Sequence, residues 1–370
     1  MVHGVVVVYA AGEQGYARSH ERATRIEIAK RLAVLKGFEF MGEYDPRGRY
    51  PGSVYVVPSD TLSFEEAEEL GIRSEQDLFG GVVPHPFVAT KVITHPLVEP
   101  EAHAPAGWSQ GFAEGVHDVV LAGYSVFTRE DARRAGARLL ERGPVRIKPV
   151  RQTGGHGQIV VSGTDQMQAS LGGIADAELS QHGLVLEENL ADVTTYSVGQ
   201  VRVADLVATY FGTQRLTPDN SGAVVYGGSD LLVVRGDFEA LLRLDLPEEA
   251  RVAVAQARVY DRAATAHYPG LMASRRNYDV AAGLDRQVRR RLGVLEQSWR
   301  LGGASGAEVA ALEAFRADPR LGAVRASTVE VYGRSESPPT KATVYFRGTD
   351  ERVGLITKYA VVEPYGHARG

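Results

Sequence analysis

The sequence predicts an α/β fold with α+β character in its C-terminal part. Strand and helix signals alternate over the first hundred residues, which implies a small unit with a parallel sheet. From 158 to 234 short strand segments are joined by turns, and the last 45 residues repeat that pattern, which suits antiparallel sheet. A chain of 370 residues is also long enough for two or three packed units.

Taken in order, Val5 to Tyr9 is a β-branched run whose lack of alternation suits a strand buried on both faces. Ile28, Leu32 and Leu35 then recur at helical spacing, and Gly37 ends the helix. Ser53 to Val57 reads as the second strand. Ser63 and Glu66 form a capping box that opens a short acidic helix stopping at Gly71. Prolines at 84, 86, 96, 100 and 105 mark a boundary region. Thr128 caps a helix with Ala132, Ala135 and Leu139 on one face, which Gly143 and Pro144 end. Val145 to Val150 is a short strand. The strand-rich stretch follows as QIVVSG, LVLEENL, TYSVGQVRVA, LVATYFGTQRL and DLLVV. A long helix is expected from Glu248 to His267, a strand from Leu292 to Leu295 and a helix from Ser305 to Phe315. STVEVYG, KATVYFRG and VGLITKYAVVE complete the chain as strands.

Composition excludes several classes. The chain has no cysteine, so a disulfide framework, a thiolate nucleophile and a cysteine-based zinc or iron–sulfur site are ruled out. Net charge is -5 and the densest basic run is Arg289 to Arg291, so nucleic acid is not an expected partner. No stretch reaches the roughly 18 apolar residues of a membrane span. The opening MVHGVVVVYAAGE lacks the basic flank of a signal peptide, so a cytoplasmic protein is expected. The ten histidines show no metal-binding spacing.

Three segments carry chemistry. In the first, a strand ends in Lys148, and a loop with Gly154, Gly155, His156 and Gly157 follows before a second strand. Glycines let backbone N–H groups approach phosphate oxygens, and an exposed lysine adds a point charge. In the second, the strand Leu184–Leu186 runs into Glu187, Glu188, Asn189 and Leu190, whose backbone and carboxylates suit an adenine edge or a ribose. In the third, Asp279 and Glu296 sit at or near the ends of apolar strands, where two carboxylates can share Mg²⁺. Arg276 and Arg300 lie beside them and suit charge on a transferred phosphoryl group. Read singly, the first segment is equally an ordinary glycine-rich hairpin, whereas the second and third read more simply as a solvated acidic turn and as surface ion pairs.

Together, and in this order, the three segments resemble the ATP-grasp superfamily over roughly residues 90–315. VVPHPFVATK, SVGQVRV and LEQSWRLGGAS also resemble an uncharacterised proteobacterial domain-of-unknown-function family within or near it. The resemblance implies an ATP-grasp fold with an N-terminal α/β pre-ATP-grasp-like domain at 1–89 and a nucleotide-binding region at 90–330. That region would divide into a mobile lid near 120–195 and a metal-site sheet near 196–330, with a β extension at 331–370. It implies that Lys91 and Lys148 contact the phosphates of ATP, that Gly154, Gly155, His156 and Gly157 cover them, and that Glu187, Glu188, Asn189 and Leu190 hold the nucleoside. Asp279, Glu296 and Ser298 occupy the metal positions, with Ser298 standing where the family usually has asparagine. The implied activity is a Mg²⁺-dependent, ADP-forming ligase that joins a small-molecule carboxylate to an amine through an acylphosphate. Arg276 and Arg300 would be catalytic, and related folds often form homodimers. A small-molecule kinase and a catalytically inactive nucleotide-binding regulatory or scaffold protein remain as alternatives.

Overall fold

The computed structural model describes residues 4–10, 19–151, 157–333 and 337–365. The N-terminal part contains β1 (Gly4–Tyr9), α1 (His20–Lys36), β2 (Glu39–Glu43), β3 (Ser53–Pro58), β4 (Leu62–Ser63), α2 (Phe64–Glu69) and β5 (Gly81–Val83). Then come α3 (Gln110–Val116), β6 (Gly123–Val126), α4 (Arg129–Leu140), β7 (Val145–Pro149), β8 (Ile159–Val161), α5 (Thr164–Gly172), α6 (Asp176–His182) and β9 (Leu184–Glu188). The rest is β10 (Ala191–Val203), β11 (Leu206–Pro218), β12 (Val224–Arg235), α7 (Phe238–Leu242), α8 (Glu248–His267), β13 (Met272–Ala273), β14 (Arg275–Leu284), β15 (Arg290–Ser298), α9 (Ser305–Ala317), β16 (Ala323–Tyr332), β17 (Thr343–Asp350) and β18 (Gly354–Pro364).

The first sheet has the order β2-β1-β3, with both pairings parallel. The valine run in β1 is apolar on both faces because each face has a partner. Val6 and Val8 pack with Ile28 and Leu32 of α1, while Val5 and Val7 pack with Ala67 of α2 and Leu70. Ser19 caps α1, accepting from the Glu21 N–H at 3.1 Å, and Gly37 closes it in the left-handed region at φ 68°. β2 is one of the strands that sequence reading passes over. It lacks a β-branched residue and is exposed at Glu39, Met41 and Glu43, so it resembles a polar loop.

A four-stranded antiparallel sheet in the order β6-β9-β7-β8 forms the second layer, with α4 and α5 packed on it through Ala132, Ala135, Leu139, Met167 and Leu171. The sequence reading of 158–234 as strand-rich needs correcting, because α5 and α6 fall within it. α5 buries only Met167 and Leu171, and α6 buries only Leu179, so neither shows a helical apolar stripe.

The central sheet has eight antiparallel strands in the order β15-β14-β10-β11-β12-β16-β18-β17. One face buries Val198, Tyr278, Val280 and Val294 against Val254, Ala257 and Tyr260 of α8. The other buries Val201, Ala208, Tyr210 and Val233 against Ala307, Ala311 and Phe315 of α9. Each residue set alternates along its strand, as a sheet covered on both faces requires.

The N-terminal part is stitched to the central sheet just before β14. β13 pairs with β5, and the buried Ser274 hydroxyl donates to the Leu78 carbonyl at 2.6 Å and accepts from the Gly80 N–H at 3.1 Å. Ser274→Ala leaves both backbone groups buried and short of a partner. We predict a loss of about 1–3 kcal/mol, read as a lowered midpoint in urea. An unchanged midpoint would show that the stitch adds nothing to stability.

Candidate functional site

Two clusters of charged side chains lie at the two ends of one short segment. A 3₁₀ turn at Lys91–Thr94 begins beside the central sheet and ends beside the four-stranded sheet. At about 2 Å rise per residue, it sets Lys91 and His95 roughly 8 Å apart along the chain.

On the four-stranded sheet, Arg146 pairs with Glu187 and Lys148 with Val185, so Arg146, Lys148 and Glu187 project from one face. Lys148 Nζ donates to Glu187 Oε1 at 3.0 Å, and His95 Nε2 lies 3.1 Å from Oε2. Burial alone would raise the Glu187 carboxyl. Lys148 and His95 overrule it and hold the group at about 2, so His95 must donate from Nε2. Lys148 is not the exposed lysine that its strand-end position suggests. It is 2% exposed, because β7 runs between β9 and β8 and its inner face is covered.

The remaining residues of that segment are engaged with their surroundings. Glu188 Oε1 accepts from the Ala122 N–H at 3.1 Å and from Arg291 at 3.2 Å. Asn189 accepts from Arg146 at 2.7 Å, and Leu190 is buried with Leu121 and Ala281. Gly157 takes φ 67°. Gly154, Gly155 and His156 lie outside the described residues.

On the central sheet, Asp279 stands directly opposite Glu296 across the β14–β15 pairing, and Ser197 of β10 stands opposite Asp279 on the other side. Asp279 is in the middle of its strand rather than at an end. Its Oδ1 accepts from Asn277 Nδ2 at 2.9 Å and from Gln214 Nε2 at 3.0 Å. Burial, then the neighbouring Glu296, pushes its carboxyl up to about 6. Lys91 Nζ sits 3.0 Å from Glu296 Oε2. Gln297 fixes that lysine in place, donating to the carbonyls of Val88 at 2.8 Å and Thr90 at 2.9 Å. The donor set fits Mg²⁺, being two hard carboxylates in cross-strand register at a partly buried spot, where a cation would relieve the charge that Glu296 sets on Asp279.

The arginines divide by strand parity. Arg276 is three residues from Asp279 and therefore on the opposite face, where it pairs with Glu75 at 2.6 Å and Asp261 at 3.2 Å. The structure does not bring Arg276 to the carboxylates, contrary to the sequence expectation. Arg275 takes that side instead. It is 1% exposed and pairs with the fully buried Glu308 at 2.8 Å. It also donates to the carbonyls of Ser298 at 3.1 Å and Arg300 at 2.6 Å, and to the Ser298 hydroxyl at 3.3 Å. Arg300 is partly exposed two residues past the end of β15, 3.6 Å from Asp60. Sequence reading missed Arg275, Asn277, His95 and Gln297. Counting back in twos from Asp279 would have found the first two.

The family described as protein of unknown function DUF3182 matches residues 8–360, and the chain belongs to it. A search of curated proteins finds no match. Among solved structures, the chain is similar to N5-carboxyaminoimidazole synthetase from Staphylococcus aureus complexed with ADP, at 11% identity and a TM-score of 0.55, covering 98% of this chain and 94% of that one. It is similar to phosphoribosylamine–glycine ligase from Thermotoga maritima at 14% identity and 0.52, covering 99% and 93%. It is also similar to the biotin carboxylase domain of 2-oxoglutarate carboxylase from Hydrogenobacter thermophilus, solved with MgADP, ADP and bicarbonate, at 12% identity and 0.52, covering 98% and 87%. These are ATP-grasp enzymes, and the chain has the ATP-grasp fold. At such identities the likeness carries the fold alone.

The crowding of Asp279 has a consequence for stability. Its folded value of about 6 lies above the ordinary 3.8, so the folded protein keeps a proton that the unfolded chain has lost. Stability is then highest at or below about pH 4 as far as this group is concerned, and falls as pH rises to about 6. In metal-free buffer, Asp279→Asn is expected to remove that fall and to melt higher than wild type at pH 8. The gain is at most about 3 kcal/mol, less whatever solvent screening removes. Parallel melting curves for the two proteins between pH 4 and 8 would contradict the crowding.

Proposed function

We propose that this DUF3182 chain is a Mg²⁺-dependent ATP-grasp ligase that joins a small-molecule carboxylate to an amine and releases ADP. The observation that carries the reading is the Asp279–Glu296 pair, in cross-strand register on an ATP-grasp sheet with Lys91 on its rim.

In this reading Asp279 and Glu296 hold the cation, which when bound neutralises phosphate charge and orients the phosphates. Lys148 and Lys91 are the phosphate contacts. Both are already paired with carboxylates, so each is held in position before the nucleotide arrives. The segment Glu187–Leu190 is assigned to the adenine edge through backbone groups other than the Glu188 and Asn189 N–H, which donate to the Ala122 and Pro144 carbonyls; the Glu188 and Asn189 side chains are committed elsewhere as well. The four-stranded sheet, near 120–195, is read as the lid, with the glycine loop at 154–157 covering the phosphates. Arg300, partly exposed just past the end of β15, is the arginine assigned to the transferring group. Arg276 has no part in the proposal.

The chemistry has two steps. A substrate carboxylate oxygen attacks the γ-phosphorus, the bond to the β-phosphate oxygen breaks, and ADP leaves. The amine nitrogen then attacks the acylphosphate carbon. The carbon–oxygen bond to phosphate breaks, the nitrogen loses a proton, and inorganic phosphate departs. Arg300 balances charge on the phosphoryl oxygens in both steps.

The test follows ADP and phosphate together over panels of carboxylates and amines. The ligase reading predicts ADP and phosphate in equal amounts, with the amine required. It predicts that Glu296→Gln lowers the rate on the order of a hundredfold while the melting temperature holds. ADP release without an amine, accompanied by a phosphorylated acid, would replace this reading with a kinase. Nucleotide binding with no ADP from any pair would favour a non-catalytic protein.

A further inference from the structure

Two neutral oxygen donors flank the carboxylate pair, and they stand opposite each other: Asn277, two residues before Asp279, and Ser298, two residues after Glu296. Mg²⁺ takes six oxygens in a near-octahedral shell, so a site with two carboxylates has room for a neutral ligand. The Ser298 hydroxyl is poorly placed for that role. It accepts from Arg275 Nη1 at 3.3 Å, and Arg275 is fixed there by Glu308 and two carbonyls. A cation on that oxygen would stand beside an immobile guanidinium.

The protons around Asn277 point the other way. Its Nδ2 donates to Asp279 Oδ1 at 2.9 Å, and its Oδ1 lies 2.9 Å from the Tyr210 hydroxyl. That hydroxyl is also 2.6 Å from Glu308 Oε1. A phenol has one proton, so two acceptors compete for it. Turning the carboxamide over removes the conflict. Nδ2 then donates to the Tyr210 oxygen, and Tyr210 donates to Glu308. The same rotation carries Asn277 Oδ1 to the place that Nδ2 now holds, 2.9 Å from Asp279 Oδ1. Two such oxygens repel unless a cation lies against both. Adjacent ligands of an octahedral ion bound at 2.0–2.1 Å are about 2.9 Å apart. The spacing on the strand is therefore that of two neighbouring Mg²⁺ ligands.

We propose that Asn277 supplies a neutral oxygen ligand to the divalent cation held by Asp279 and Glu296, reached by turning over its carboxamide. The proposal rests on the reading of that pair as a metal site. Asn277 is 7% exposed, and the Asn277–Tyr210–Glu308–Arg275 chain fixes it between the sheet and α9.

The probe is Mn²⁺, titrated in the presence of saturating ADP and followed by electron paramagnetic resonance. Asn277→Leu, close in size and without an oxygen, should weaken Mn²⁺ about tenfold. Asn277→Asp should bind Mn²⁺ at least as tightly as wild type, because it keeps the oxygen. Loss of Mn²⁺ binding in Asn277→Asp as severe as in Asn277→Leu would overturn the proposal. So would wild-type affinity in Asn277→Leu, or a loss in Ser298→Ala with none in Asn277→Leu. Asp279→Asn separates the two levels. Its loss of Mn²⁺ supports the metal site whatever Asn277 does, and its wild-type affinity would remove the site and the proposal together. ADP affinity without metal, measured for each variant, shows that the fold is intact.

Discussion

The register between β14 and β15 is the constraint on which the rest of the site depends. It sets Asp279 opposite Glu296 and Asn277 opposite Ser298, and strand alternation then turns Arg275 to the same face and Arg276 to the other. A one-residue slip of β14 would turn Asp279 toward α8, bring Arg276 and Tyr278 to the α9 side and leave Glu296 without its partner. The register is pinned from both faces. Behind the sheet, Tyr278 and Val280 are buried against α8. In front, Arg275 reaches across to the carbonyls of Ser298 and Arg300 and is held by Glu308. A buried pair of this kind adds little net stability compared with an apolar pair, so its value lies in fixing one arrangement.

Charge is balanced locally before any ligand arrives. Glu296 has Lys91, Glu187 has Lys148 and His95, and Glu308 has Arg275. Asp279 is the exception, surrounded by the neutral donors Asn277 and Gln214 and crowded by Glu296. In the proposed function, an anionic nucleotide with its cation would supply what each part of the site lacks: the cation would relieve Asp279, and the phosphates would offer Lys91 and Lys148 a second partner. The turn from Lys91 to His95 links the two halves, because its ends hold carboxylates on different sheets.

Much of the architecture was legible in the sequence because it is written in strong local signals. The valine run of β1, the Ser63–Glu66 capping box and the helix Glu248–His267 appear where the pattern puts them. β2, α5 and α6 were not legible, since their apolar content is too small to set a period. At the site, Lys148, Asp279 and Glu296 stood out as charges set against apolar strand residues, although Asp279 proved to lie mid-strand and not at an end. Their partners did not stand out. His95 meets Glu187 over a separation of 92 residues, and Arg275 meets Glu308 only through the packing of α9 on the sheet. Strand parity, counted back from Asp279, puts Arg275 and not Arg276 on the carboxylate face.

Asp279 and Glu296 are proposed to hold a divalent cation against a bound nucleotide. Anomalous diffraction from crystals grown with Mn²⁺ and ADP would locate that cation. The expected result is one strong anomalous peak within coordination distance of both carboxylates and of ADP phosphate oxygens. A crystal with ADP bound and that peak elsewhere, or with Lys91 still on Glu296 and no peak between the carboxylates, would contradict it.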